Sequence, residues 1–261
     1  MTSPASSPLV AIRDLSVVFG GVHALDSVSF DIRQGQILGL IGPNGAGKTT
    51  LFNCLSRLYQ PSSGDILVDG VSILSRPAHR ISEIGVGRTF QNVALFPTLS
   101  VLDNVRVGTH ALGSGNIVSD ALGLRKASQR QRELDMQIQD IVEFLALDDV
   151  VELTADGLPF GTQKRVELAR ALASKPKILL LDEPAGGLNH EEVDALGRLI
   201  CRIRDELKIT ILLVEHHMGL VMSIADHVVT LNFGRKLAEG TPSEVQSNPA
   251  VVEAYLGTSS S

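Results

Sequence analysis

The chain has 261 residues, 44% hydrophobic and 20% charged, enough to bury a core as one elaborated domain or as a core domain carrying a subdomain. A formal net charge of −6 provides no overall electrostatic footprint for nucleic acid, so no nucleic-acid partner is expected. Cys54 and Cys201 lie far apart without metal-ligand spacing, no apolar run approaches the ~20 residues that span a bilayer, and MTSPASSPLV lacks the parts of a signal peptide, which predicts a cytoplasmic chain with two small buried thiols.

The ends, 1–8 and 258–261, read as disordered tails, the first rich in Ser and Pro and the second closing in GTSSS. Residues 9–32 and 64–74 show period-two alternation with Gly and Asp turns, which predicts a small antiparallel sheet. Between them ILGLI (37–41) is a short continuous apolar run, the pattern of a strand covered on both faces, and TTLFNCLSRL (49–58) has helical spacing. Residues 100–156 read as mostly helical, with Ser100 and Asp103 as an N-terminal cap, a break at GSGN (113–116) and an apolar stripe in LDMQIQDIVEFLAL (134–147). The remainder alternates helix and buried strand: VELARALAS (166–174), KILLLD (177–182), EEVDALGRLICRIRDEL (191–207), ITILLV (209–214) and HVVTL (227–231). Strands alternating with helices predict an α/β layered core on a parallel sheet, with the small β-sheet beside it and the helical segment as an insertion.

Directly after ILGLI comes GPNGAGKTT, Gly42 to Thr50, and then a helix, which is the strand, loop and helix context of a phosphate-binding P-loop. Gly42, Gly45 and Gly47 allow successive backbone N–H groups to turn inward without a Cβ in the way, and the following helix dipole favours an anion there. Pro43, Asn44, Ala46 and Thr50 complete the cradle; Lys48 would reach the β and γ phosphates and the Thr49 hydroxyl would bind Mg²⁺. Chance produces this spacing in roughly one chain of this composition in a hundred. A second half-site supports it: KILLLDEP ends a buried strand in Asp182, predicted to lie beside the P-loop in the sheet and hold Mg²⁺ through water, with Glu183 next along to polarise an attacking water.

Together these motifs resemble the ATPase subunit of ABC transporters over nearly all of residues 9–257, read as one ABC ATPase domain with a helical subdomain at about 92–165. The resemblance implies a P-loop NTPase (RecA-like) core with an antiparallel β-subdomain and a helical ABC-specific subdomain, binding ATP and Mg²⁺. It also implies roles for residues that are weak signals alone. Phe19 would stack on adenine, Gln91 after VGRTF would contact Mg²⁺ and the reactive water, and His216 in LLVEHHM would contact the γ-phosphate, with His217 as a surface or supporting residue. Lys48, Gln91, Glu183 and His216 are thus the catalytic candidates, and Thr49, Gln91 and Asp182 the metal candidates. GLPFGTQKR falls at the family's signature segment, so Leu158, Phe160, Gly161, Thr162 and Gln163 would face the nucleotide of an opposite subunit, with the helical N–H groups of Thr162 and Gln163 as donors. PAGGLN (184–189) would cross that dimer interface.

Pro159 departs from the family pattern, which has a serine there; proline brings neither hydroxyl nor N–H, so a weaker hold across the dimer is expected. FGGVHAL, GRTFQNVALFPTLSVLDNV, MGLVMSIADHVVTLNFG, AEGTPSEV and NPAVVEAYLG are similar to the branched-chain amino acid importer subgroup. That implies transmembrane permease subunits, a second ATPase subunit (identical or not), an indirect solute-binding protein, and a peripheral location on the inner face of the cell membrane. Urea or amide importers and lipid exporters carry related subunits and remain alternatives, as does, more remotely, a soluble non-transport ABC ATPase.

Overall fold

The computed structural model describes residues 7–89, 94–109 and 124–256. Residues 1–6 of the N-terminal tail expected at 1–8, the whole C-terminal tail expected at 258–261, Gln91, and most of the segment around 109–130 with its GSGN break lie outside the described residues.

In chain order, β1 (Val10–Phe19) and β2 (Val22–Ile32) form an antiparallel hairpin through Gly20 and Gly21, both with positive φ. Then come β3 (Ile37–Ile41), α1 (Lys48–Leu55), β4 (Ser63–Val68), β5 (Val71–Ser72) and the short β6 (Val86–Arg88). Among the described residues α2 (Val101–Thr109) and α3 (Leu124–Phe144) follow, and then α4 (Phe160–Leu172). The chain closes with β7 (Ile178–Asp182), α5 (His190–Leu207), β8 (Thr210–Val214), α6 (Met218–Ile224), β9 (His227–Asn232), β10 (Arg235–Gly240), α7 (Pro242–Gln246) and α8 (Pro249–Leu256).

These strands build two sheets. The antiparallel one has the order β2-β1-β4-β5; the larger has the order β10-β9-β3-β8-β7-β6 and is parallel except for β10. Every residue of β3, β7 and β8 is buried, as their uninterrupted apolar runs predict. Strand periodicity divides what they cover. Ile37, Ile41, Leu179, Leu181, Ile211 and Leu213 join the core shared with α2, α3, α4 and α5, whereas Leu38, Leu40, Leu180, Leu212 and Val214 join the core shared with the antiparallel sheet and α1.

Two sequence expectations change, at Asp182 and at Cys201. β8 lies between β3 and β7, so Asp182 stands one strand further from the P-loop than adjacency predicts. The chain crosses over after β7 and returns inside it, which the run lengths alone do not encode. α4 starts at Phe160, ahead of the apolar-periodic stretch VELARALAS and at the signature segment where the helical amides of Thr162 and Gln163 are expected. Cys54 is buried, but Cys201, on α5, is only partly covered.

Ser100 does cap α2: its Oγ accepts from the Asp103 N–H at 3.1 Å and donates to Asp103 Oδ2 at 3.0 Å. Buried Asn104 organises the preceding loop, accepting from Phe96 N–H and donating to the carbonyls of Phe96, Leu99 and Ser100. No helix among the described residues is long and apolar enough to cross a membrane.

Candidate functional site

Parallel strands deliver their following loops to one edge of the sheet, and here β3, β8 and β7 bring Gly42, Glu215–His216 and Asp182–Glu183 to that edge. At Gly42, with φ +150°, an added Cβ would stand 2.2 Å from the Leu231 carbonyl oxygen. At Gly47, with φ +101°, it would stand 2.6 Å from the Ala24 carbonyl oxygen, so neither position accepts a side chain. The loop is closed by Ala46 N–H on the Pro43 carbonyl at 3.2 Å and held from the β9–β10 turn by Gly234 N–H on the Ala46 carbonyl at 3.0 Å. Pro43 and Ala46 face inward, while Asn44, Gly45 and Thr49 are exposed and Thr50 half-buried.

The amide of Leu51 makes the first bond along α1, to the Gly47 carbonyl at 3.0 Å, so those of Lys48, Thr49 and Thr50 open from the helix N-terminus. Buried Lys48 sends Nζ back to the carbonyls of Gly42 at 2.7 Å and Pro43 at 2.9 Å, which leaves a third donor hydrogen. Burial pulls its pKa down and the charge of Glu183 opposes that. Open amides, an unobstructed Gly45 and an ammonium at a positive helix end form an anion site, and the residues present fit a polyphosphate.

The acidic side of the site is more connected than its sequence suggests. Asp182 is buried, and burial pushes its carboxyl up; Arg88 beside it, 3.5 Å away, pulls in the other direction. Arg88 itself donates to Asn53 Oδ1 at 3.0 Å and to Ser56 Oγ, and its guanidinium lies 4.6 Å from the Phe52 ring centre, tying β6 and α1 to β7. Glu183, at the left-handed φ of +47°, holds His216 Nε2 at 2.7 Å from its Oε1. Glu215 is buried and accepts from three amides: Ala185 at 2.7 Å on Oε1, and His216 at 3.0 Å and His217 at 3.1 Å on Oε2. His217 caps α6, its Nδ1 accepting from the Leu220 N–H at 3.3 Å.

Sequence reading missed Arg88 and Glu215. The signal for Glu215 was a carboxylate directly after a fully apolar strand; Arg88, on a three-residue edge strand, offered none.

At the start of α4 the backbone differs from expectation. The Pro159 carbonyl accepts the amides of both Thr162 at 2.9 Å and Gln163 at 3.0 Å, so those donors are used within the helix. The amides ahead of them, on Phe160 and Gly161, open from its end instead. Gln163 Nε2 turns back to the Leu158 carbonyl and Thr162 Oγ1 accepts from Arg165, so both side chains are engaged within the segment. Leu158 is buried, whereas the Phe160 ring is 44% exposed and covers Gly187, whose added Cβ would meet it at 3.0 Å; the signature and PAGGLN segments thus touch within one chain. Phe19, 48% exposed at the end of β1, makes an edge contact with Tyr59 at 5.4 Å between ring centres, leaving much of the ring open.

Among the described residues no group of three or more His, Cys, Asp or Glu side chains stands close enough to hold a metal ion by itself. Asp182 and Thr49 fit Mg²⁺ in its usual manner, in which one or two protein oxygens are completed by phosphate and water.

Behind the P-loop, α8 docks through Val251 and Tyr255, and the Tyr255 phenol hydrogen-bonds the Gly42 backbone; burial raises its pKa and the Gly42 contact lowers it.

The model of the ABC transporter family matches residues 25–186, and that of the branched-chain amino acid ATP-binding cassette transporter matches residues 235–260, the stretch containing α8. The chain is 42% identical to the high-affinity branched-chain amino acid transport ATP-binding protein BraF of Pseudomonas aeruginosa, over 97% of this chain and 99% of that one. It is 40% identical to LivG of Escherichia coli (strain K12), likewise a high-affinity branched-chain amino acid transport ATP-binding protein, with the same coverage. Among solved structures, the ADP conformation of MJ1267, an ATP-binding cassette of an ABC transporter, superposes with a TM-score of 0.84 at 29% identity, over 97% of this chain and all (100%) of that one. A nucleotide-free ATP-binding cassette from an ABC transporter gives a TM-score of 0.82 at 28% identity, covering 95% of this chain and 99% of that one. The chain therefore belongs to the ATP-binding proteins of ABC transporters, in the group that includes the branched-chain amino acid transport ATP-binding proteins.

Proposed function

We propose that the chain hydrolyses ATP to power an importer of branched-chain amino acids. The observation that carries the hydrolytic part is the Glu183–His216 contact of 2.7 Å on the same sheet edge as the P-loop. The P-loop amides and Lys48 bind the phosphates, Phe19 stacks on the base, and Glu183 takes a proton from the attacking water while His216 orients that carboxylate and the γ-phosphate. Mg²⁺, held by Thr49 and Asp182, supplies charge neutralisation on the phosphates when bound; Gln91 is proposed as a further contact to it and to the water. The names of the relatives support the solute.

In this reading two ATPase subunits pair head to tail, each offering the α4 N-terminus to the other's nucleotide through Phe160 and Gly161. Permease subunits dock near Phe96 and Leu99, on the loop fastened by Asn104. The protein then sits peripherally on the inner face of the membrane, and a solute-binding protein acts on the far side.

Glu183→Gln tests the chemistry. Turnover is expected to fall by about 10²–10⁴-fold, the range for losing a general base, with an ATP-bound dimer accumulating in light scattering. Unchanged turnover removes Glu183 from the mechanism. Uptake of labelled leucine, isoleucine, valine and urea in a deletion strain tests the solute.

A further inference from the structure

We propose that Glu215 is a positioning residue for hydrolysis, a buried carboxylate that fastens the Glu183 loop to the His216 loop. The inference rests on the reading that Glu183 and His216 carry the chemistry. The two residues come from different strands, β7 and β8, and two paired strands do not by themselves set the distance between side chains on their following loops. Glu215 bridges those loops directly. One oxygen accepts from Ala185 N–H, two residues beyond Glu183, and the other accepts from the N–H groups of His216 and His217.

The loop it holds is one that needs holding. Glu183 occupies the left-handed region at φ +47°, which an L side chain adopts only when the surroundings enforce it. Its own amide is anchored on the Val214 carbonyl at 2.8 Å, and its carbonyl accepts from Gly186 at 3.1 Å in a tight turn. The Glu215 bond to Ala185 lies inside that turn and is the one made by a charged side chain. With the turn tied to the His216 and His217 amides, Glu183 Oε1 meets His216 Nε2 at 2.7 Å. A neutral amide side chain of the same shape has one acceptor oxygen and one donor nitrogen, so it can serve one loop but not both.

The test is steady-state hydrolysis by the purified full chain carrying Glu215→Gln. The turnover number is expected to fall by about ten- to a hundredfold, the scale of a small misplacement of catalytic groups, while the KM for ATP stays within about twofold because the P-loop is fastened elsewhere. In a His216→Ala background the same change should cost clearly less than in the wild type, since the part of its effect that runs through the Glu183–His216 contact is already lost and the cycle is non-additive. Equal losses in both backgrounds, or a loss confined to KM, would overturn the proposal. If Glu215→Gln fails to fold, Glu215→Asp, which keeps the charge but shortens the reach, is read in the same way. A wild type without hydrolysis contradicts the functional reading itself. A wild type that hydrolyses, a Glu183→Gln variant that does not, and a Glu215→Gln variant with unchanged turnover overturn only the bridge.

Discussion

Pro159 shows how one residue reshapes a site without entering it. Its φ of −55° and ψ of 147° set the entry to α4, and its carbonyl takes the amides of Thr162 and Gln163, so the open donors move forward to Phe160 and Gly161. A serine there would keep that carbonyl and add a hydroxyl. Pro159→Ser is therefore expected to tighten ATP-dependent dimerisation in the Glu183→Gln background about fivefold, the equivalent of about 1 kcal/mol for one net hydrogen bond; analytical ultracentrifugation reads it, and an unchanged dimer constant would refute it. Cys54 belongs to the same scale. Burial raises its thiol to about 11, so at pH 8 a thiol reagent should label at most the partly covered Cys201 in the native chain, and both only after denaturation. The folded state holds that proton where the unfolded thiol would release it, so this group's contribution to stability declines as pH rises from 9.0 through about 11.

At the scale of elements, the contact between α2 and α4 is made possible by the absence of a side chain. A Cβ on Gly108 would lie 2.0 Å from the Arg170 carbonyl oxygen and 3.0 Å from Ala173 Cβ, so the helices cross with backbone against backbone. Gly108→Ala should push them apart and lower stability by about 1–3 kcal/mol, the usual cost of overpacking, visible as a lower melting temperature; an unchanged melting curve would show that the crossing relaxes freely. Gly108 drew no attention in the sequence because a helical glycine with ordinary φ carries no turn signal. The opposite holds at α5, where Asn189 and Glu192 form a capping box, each side chain bonded to the other's amide. That start follows PAGGLN directly, so the end of this loop is fixed by local chemistry.

Across the whole molecule, the P-loop is held from segments remote in sequence. Leu231 crowds Gly42, Gly234 binds Ala46, and Tyr255 reaches the Gly42 backbone from the last helix. Tyr255→Phe keeps the ring that packs on the core and removes the hydroxyl. It should raise the Kd for ATP about fivefold, again about 1 kcal/mol, with little change in melting temperature; isothermal titration with an unaltered Kd would mean that the C-terminal helix only covers the sheet. The segment carrying Tyr255 lies within the family match at residues 235–260.

What the sequence alone determined was whatever depends on neighbours along the chain. The apolar runs of β3, β7 and β8 announced buried parallel strands, GPNGAGKTT announced an anion cradle, and Ser100 with Asp103 announced a cap, because period, glycine placement and capping act over a few residues. The tertiary structure decided what depends on strand order and on close approach between distant segments. It placed β8 between β3 and β7, set Glu183 against His216, and gave Glu215, Arg88 and Tyr255 their partners 30, 94 and 213 positions away, with Ala185, Asp182 and Gly42. Such pairings leave no local pattern, since the energy of a buried hydrogen bond depends on where the chain returns and not on what precedes it.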